Sequence, residues 1–161
     1  MLAEVLYAVV HSGAGISFIV PFSLDDARAF WSENVLPVVR TGGRRVVVAR
    51  SKGRIVGSVQ VGLDTPPNQQ HRAEIMKMLV HPEARRRGIA RALMIAAEEI
   101  ARAEKRSLLT LDTVTGGPAE SLYRSLNFTA AGIIPRYARS SLTPELEATT
   151  VMYKELPPHV Q

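Results

Sequence analysis

Cysteine is absent from the 161 residues of this chain. No disulfide can staple the fold and no thiolate can ligate a metal or attack a substrate, a composition suited to a reducing, cytoplasmic setting. Long apolar runs are missing too, since none approaches the roughly 20 residues that cross a bilayer. Met1 to Val10 is apolar, but it carries Glu4 and has no basic leader. It reads as a core helix rather than a signal peptide, and no membrane partner is expected. Aromatics make up only 6% of the chain and do not interleave with the basic residues, which argues against a single-strand stacking platform. His11, His71, His81 and His159 are scattered without ligand spacing, so no metal is expected. The serines lack a recognisable His/Asp partner pattern, so a nucleophilic enzyme is not supported. Repeats, low-complexity tracts and linkers are also wanting.

What remains is an ordinary globular composition, 46% hydrophobic and 22% charged, read as a single domain over 1–161 with its own core. Twenty Lys+Arg stand against 15 Asp+Glu, a net charge of +5. Such an excess suits nucleic acid, a polyanionic small molecule or a solvated surface. The arginines concentrate in Arg85–Arg91, which favours a compact anionic ligand over nucleic acid.

Periodicity places helices at Leu2–Val10, Asp25–Val38 (Ser23 as N-cap), Gly88–Ala103 and Pro118–Leu126. The buried face of the third is expected to be Ile89, Leu93, Ala96, Ala97 and Ile100. Strands are expected at Val46–Ala49, Ile55–Leu63, Ala73–Val80, Leu108–Thr113, Phe128–Ile134 and Thr149–Glu155, the first two joined by a hairpin at Ser51–Arg54. This order implies an α/β fold with one mixed sheet and helices on its faces. Ligands of such sheets bind beyond the C-terminal ends of the strands, where Val80 and Thr113 lie.

One segment stands out. Arg85-Arg86-Arg87-Gly88-Ile89-Ala90 follows a strand closed by His81-Pro82 and opens a helix. Helix starts carry unpaired N–H groups and the positive end of the dipole, and a glycine there lets a ligand approach the backbone. Taken alone, the segment serves equally as a phosphate cradle or as a solvated basic turn.

The run Met78 to Leu93 resembles the acetyl-CoA signature of the GCN5-related N-acetyltransferase (GNAT) family, Gln/Arg-x-x-Gly-x-Gly/Ala, with Arg85, Gly88 and Ala90 at its three fixed positions. Ala119 to Phe128 is similar to the family's second signature, Ala-x-x-Leu-Tyr-x-x-x-Gly-Phe, with Asn127 in place of the glycine. A closer likeness at Arg72–Glu74, Leu108–Thr113 and Gly132–Tyr137 is to a branch that acetylates a β-lactam amino-acid toxin.

The resemblance implies a GNAT fold of about six or seven strands flanked by about four helices. It also implies acetyl-CoA as co-substrate and transfer to the primary amine of a small, amino-acid-like or toxin-like molecule. Backbone groups of Met78, Leu79 and Val80 would hold the pantetheine arm. Amides of Arg86, Arg87, Gly88, Ile89, Ala90 and Arg91 would cradle the pyrophosphate, beside Arg85. Glu74 and Asp112 match the branch's acidic residues, as base or as holders of the substrate ammonium. Without the resemblance they read as an exposed strand carboxylate and a loop-ordering residue. Tyr123 matches the tyrosine that protonates the departing thiolate, against the plainer reading of a core tyrosine. The acceptor pocket is expected from the first two helices, the Leu63–Arg72 loop and the Tyr137–Glu147 segment. Alternatives are acetylation of a protein N-terminus or lysine, and a non-catalytic CoA-binding regulatory module. The family's first strand has no counterpart before Met1, so the start is read late or the sheet keeps an open edge that a homodimer would use.

Overall fold

The structure is a computed structural model that describes residues 1–157; His159 lies outside them. Six strands form one sheet: β1 (Arg44–Ser51), β2 (Arg54–Gly62), β3 (Arg72–Val80), β4 (Leu108–Val114), β5 (Thr129–Arg139) and β6 (Leu146–Glu155). Their order is β1-β2-β3-β4-β6-β5. Every neighbouring pair is antiparallel except β3 and β4, which run parallel and are joined through α4 (Ile89–Ala103). The expected α/β architecture with a mixed sheet is therefore present.

Local chemistry explains the elements. α1 spans Leu2–His11 and buries Val5, Leu6, Val9 and Val10. Ser23 caps α2 (Leu24–Ala29) with a reciprocal box: its hydroxyl accepts from the Asp26 N–H, and the Asp26 carboxylate accepts from the Ser23 N–H. The helix continues through a π-helical stretch (Phe30–Val35) into α3 (Leu36–Arg40). Pro37 has no N–H to give the preceding turn, and a widened turn before it relieves that loss. Lys52 and Gly53 both take positive φ, which closes the β1–β2 hairpin as a two-residue turn. α5 (Pro118–Ser125) starts on Pro118 and is followed by Asn127 at φ 66°, the left-handed position asparagine tolerates.

Strands extend beyond their sequence-derived bounds. β5 runs to Arg139 rather than Ile134, and β6 begins at Leu146 rather than Thr149. Pro135 interrupts the β5–β6 register between Ile134 and Ala138, but an edge strand tolerates the missing donor, so pairing resumes.

The sheet separates two cores. On one face α4 and α5 cover Val59, Val61, Ala73, Ile75, Leu109 and Leu111. Leu93, Met94, Ala97 and Ala101 of α4 are fully buried there, while Ile89 and Ile100 pack from the rim, a stripe rotated slightly from the expected one. On the other face α1 to α3 cover Leu79, with Trp31 and Val35 packed around it. Burying a side chain of leucine size is worth about 1.5–3 kcal/mol. In β2 the polar positions Ser58 and Gln60 are buried as well, because α1 packs over a face that period-two reading would leave wet.

Candidate active site

β3 and β4 pair only at Arg72↔Leu108, Ala73↔Leu109 and Glu74↔Thr110. Beyond Glu74 they diverge, and a cleft of about 910 Å³ opens between them. Side-chain alternation gives this cleft two ends. Met78, Val80, Ile89, Leu122 and Tyr123 line it from the α4–α5 side. Glu74, Met76, Lys77 and Asp112 line it from the opposite side, with Ile16 and Ser17 of the α1–α2 loop. The α1–α2 loop reaches across the divergence: a Cβ on Gly15 would lie 2.3 Å from Val114 Cγ2.

A bulge decides which side chains enter. Ala73 and Ile75 belong to the α4 core, so unbroken alternation would send Leu79 there too, yet Leu79 is buried against α1. The register against β2 shifts between Ser58 and Gln60, and Lys77 takes φ 48°. This reversal points Lys77 away from the α4 core. Its Nζ donates to Ser17 Oγ at 2.9 Å and sits 5.6 Å above the Phe18 ring.

At the cleft's other end, Arg86 (φ 61°) and Gly88 (φ 76°) turn the backbone twice before α4. No side chain caps this helix start. Among the described residues, none of the N–H groups from Arg86 to Arg91 finds a protein acceptor. Alternating positive φ with a helix N-terminus makes a concave nest of donors that suits an anion. Nothing lies within 4 Å of where a Gly88 Cβ would sit, so the concavity is open. Arg85 is a strut: it donates to Ser12 Oγ (2.7 Å) at the end of α1 and to Val80 O (3.4 Å) at the end of β3. Arg91 donates to Ser125 Oγ at 2.8 Å, joining α4 to α5.

Tyr123 is 6% exposed, its ring 5.9 Å from Phe128, with its side chain on the cleft wall. Burial, and secondarily the Asp112 charge, push its phenol up to about 12. It stays protonated at any physiological pH, ready to donate. Asp112 accepts from Thr149 Oγ1 at 3.0 Å, which fixes the carboxylate at the mouth of β4. Glu74 faces Arg72 at 3.9 Å. Below Tyr123, Glu120 accepts from the Gly116 N–H (2.7 Å), from Arg124 and from Thr150 Oγ1, so it orders the turn that carries Gly117 and Pro118 into the cleft. Those bonds, the Gly116 one foremost, hold its carboxyl below the ordinary range.

Of the residues expected from sequence, Glu74, Met78, Val80, Arg85, Arg86, Gly88, Ile89, Ala90, Arg91, Asp112 and Tyr123 line one cleft. Leu79 does not line it: its side chain is buried against α1, leaving only its backbone at the strand. Arg87 is exposed and lies off the wall. The segments expected to form an acceptor wall contribute little to this cleft. The Leu63–Arg72 loop lines none of the cleft, and Tyr137–Glu147 contributes Glu147 alone; the Ser12–Ser17 segment takes their place. Phe30 and Trp31 belong to the α1 core, and His71 stays outside the cleft. His81 serves its turn, accepting from the Glu83 N–H at 3.3 Å. Lys77, outside the expected set, also lines the cleft, and its mark in the sequence is a lysine between two methionines in a half-buried strand. Among the described residues no cluster of metal-ligating side chains occurs, and no helix is long and apolar enough to cross a membrane.

The sequence model of the acetyltransferase (GNAT) family matches residues 14–128. An uncharacterized N-acetyltransferase from the hisH-hisA intergenic region of Azospirillum brasilense is 35% identical over 105 residues, 64% of this chain and 60% of that relative's length. The crystal structure of a ribosomal-protein-alanine N-acetyltransferase from Brucella melitensis superposes with TM-score 0.79 at 27% identity, covering 96% of this chain and 92% of the other. A putative acetyltransferase from Salmonella typhimurium, solved with its cofactor acetyl-CoA, superposes with TM-score 0.78 at 20% identity over 99% and 88% of the two chains.

Proposed function

Because the chain belongs to the acetyltransferase (GNAT) family, we propose that it moves an acetyl group from acetyl-CoA to the primary amine of a small molecule. The observation that carries the reading is the through-sheet cleft, with an open nest of amide donors at one end and two carboxylates at the other. The residues fit the donor. Six consecutive free N–H groups and the open space at Gly88 suit a pyrophosphate. The β3 edge that β4 leaves unpaired beyond Glu74 suits the amide groups of a pantetheine arm, aligned along Met78, Leu79 and Val80. The acetyl-CoA-bound Salmonella structure shares this fold.

Acetyl-CoA supplies the activated acyl carbon; the protein supplies proton handling and position. An alkyl ammonium keeps its proton until about pH 10 and has no lone pair to attack with. Glu74 or Asp112, directly or through one water, takes that proton. The C–N bond then forms as the C–S bond breaks, the Tyr123 hydroxyl gives its proton to the departing sulfur, and the new amide nitrogen loses its extra proton, which returns through solvent to the Tyr123 phenolate. The high pKa of Tyr123 keeps the phenol proton available. The Lys77 side of the cleft, which carries charges of both signs, favours a small, amino-acid-like acceptor. The likeness of Arg72–Glu74 and Leu108–Thr113 to the tabtoxin resistance acetyltransferase supports the same class. A second reading, acetylation of a protein N-terminus, draws on the Brucella relative. Thiol release from acetyl-CoA, measured over a panel of small amines and alanine-starting peptides, tests both. Amine-dependent release is expected; its absence across the panel leaves only a CoA-binding module.

A further inference from the structure

Of the four cations that line the cleft, Arg85, Arg86 and Arg91 belong to the nest, and Lys77 alone lies on the side of Glu74 and Asp112. Arg72 is committed to Gln69, Thr110 and Glu74, and Arg44 is committed to Gln60. Lys77 makes a single hydrogen bond, to the neutral Ser17 hydroxyl, and no carboxylate lies within ion-pair distance of it among the described residues. An ammonium has three donors, so two remain unspent. The arrangement is costly in two ways. A lysine at φ 48° occupies a backbone region that non-glycine residues avoid. The charge is also partly withdrawn from water, and burial is the main cause holding its pKa below the ordinary value, with Asp112 and Glu74 opposing and Arg44 assisting. A purely structural lysine would be expected to pair with a carboxylate or to extend into solvent. Lys77 is half-buried and, among the described residues, pairs with no carboxylate, and the bulge that reverses the strand delivers it to the same side of the cleft as Glu74 and Asp112.

We propose that Lys77 is an anion subsite that selects acceptors bearing a carboxylate beside the reacting amine, so that the acceptor binds as a zwitterion. Glu74 and Asp112 face the ammonium of that acceptor, and Lys77, held by Ser17 and Phe18, faces its carboxylate. The inference rests on the acyl-transfer reading given above, and it narrows the acceptor from amines in general to α-amino acids and their close analogues. Peptides fall outside the class, because their amino terminus has an amide where the subsite expects a charge.

The twenty protein amino acids and their carboxamides, assayed as acceptors with wild type, Lys77→Met and Lys77→Arg, decide the matter. In wild type the best acid should exceed its carboxamide by ten- to a hundredfold in kcat/KM, mostly through KM, the usual worth of one charge-assisted bond. Lys77→Met should bring that ratio close to one. Lys77→Arg should restore part of the preference. An unchanged ratio in Lys77→Met, or a wild-type preference for carboxamides or peptides, overturns the subsite. If wild type acetylates no amine, the acyl-transfer reading fails on its own. Calorimetry with the same acids and carboxamides then judges the subsite: acid-only binding lost in Lys77→Met supports it, and its absence refutes it.

Discussion

Replacing Tyr123 by phenylalanine separates a catalytic phenol from a structural one. The ring is buried against Phe128, and phenylalanine keeps that packing. Among the described residues no hydrogen bond reaches the hydroxyl, so its removal strands no partner. At neutral pH the variant should therefore match wild-type stability within about 1 kcal/mol. Alkaline pH behaves differently. Folding raises the phenol from 10.0 to about 12, so the folded state resists ionisation. Stability is complete below pH 10 and is lost between pH 10 and 12, as the unfolded chain releases a proton that the folded chain keeps. The rise corresponds to about 3 kcal/mol. Urea titrations of both proteins from pH 8 to 12 should show wild type losing about that much relative to Tyr123→Phe. Thiol release should meanwhile fall by about 10²–10⁴ if the phenol is the general acid. Parallel stability curves would refute the burial argument. An unchanged rate would refute the catalytic role.

Three further outcomes are expected. Glu74→Gln and Asp112→Asn should lower thiol release at pH 7, by about 10²-fold or more in whichever variant loses the base, and the deficit should shrink toward pH ~10 as the free amine deprotonates itself; a pH-independent deficit would assign the residue to binding. Gly88→Ala meets no atom within 4 Å but must hold φ 76°, so unfolding should be easier by about 1 kcal/mol. Its affinity for acetyl-CoA by calorimetry should drop at least tenfold, and undiminished affinity would displace the anion from the nest. Glu120→Gln should cost stability at pH 7, with the gap closing as pH falls. The depressed wild-type carboxyl contributes above the ordinary carboxylate range and loses that contribution on protonation. Urea midpoints at pH 7 and 3.5 check the sign, and a gap that widens in acid contradicts it.

The nest at one end of the cleft was legible because its geometry is local. Arg85–Ala90 is a contiguous turn whose proposed anion-binding role depends on backbone amides and one glycine, and the structure places both at a helix start. The helices were legible from spacing, and Ser23 as an N-cap from its place before the second of them. The acceptor end was not, since it depends on register. Lys77 enters the cleft only because a bulge opposite Ser58–Gln60 reverses the alternation, and period-two counting has no term for an extra residue. The Ser12–Ser17 segment forms a wall because Arg85 ties Ser12 to the end of β3 and because Gly15 fits against Val114, both contacts distant in sequence. Ser58 and Gln60 make the same point: their polarity suits water, while α1 supplies the cover.

Three ladder pairs are all that join β1-β2-β3 to β4-β6-β5 within the sheet. The molecule thus has a seam, and the cleft is the open part of it. A molecule that lies along the free edge of β3 and reaches Tyr123 on α5 touches both halves at once. Its binding energy is then also cohesion between them. By mass action, a ligand at a hundred times its Kd adds about 2.7 kcal/mol to folding stability. For a sheet stitched at only three positions, that increment falls where the fold is thinnest. Under the acyl-transfer proposal, the protein's resistance to unfolding would therefore follow the supply of acetyl-CoA.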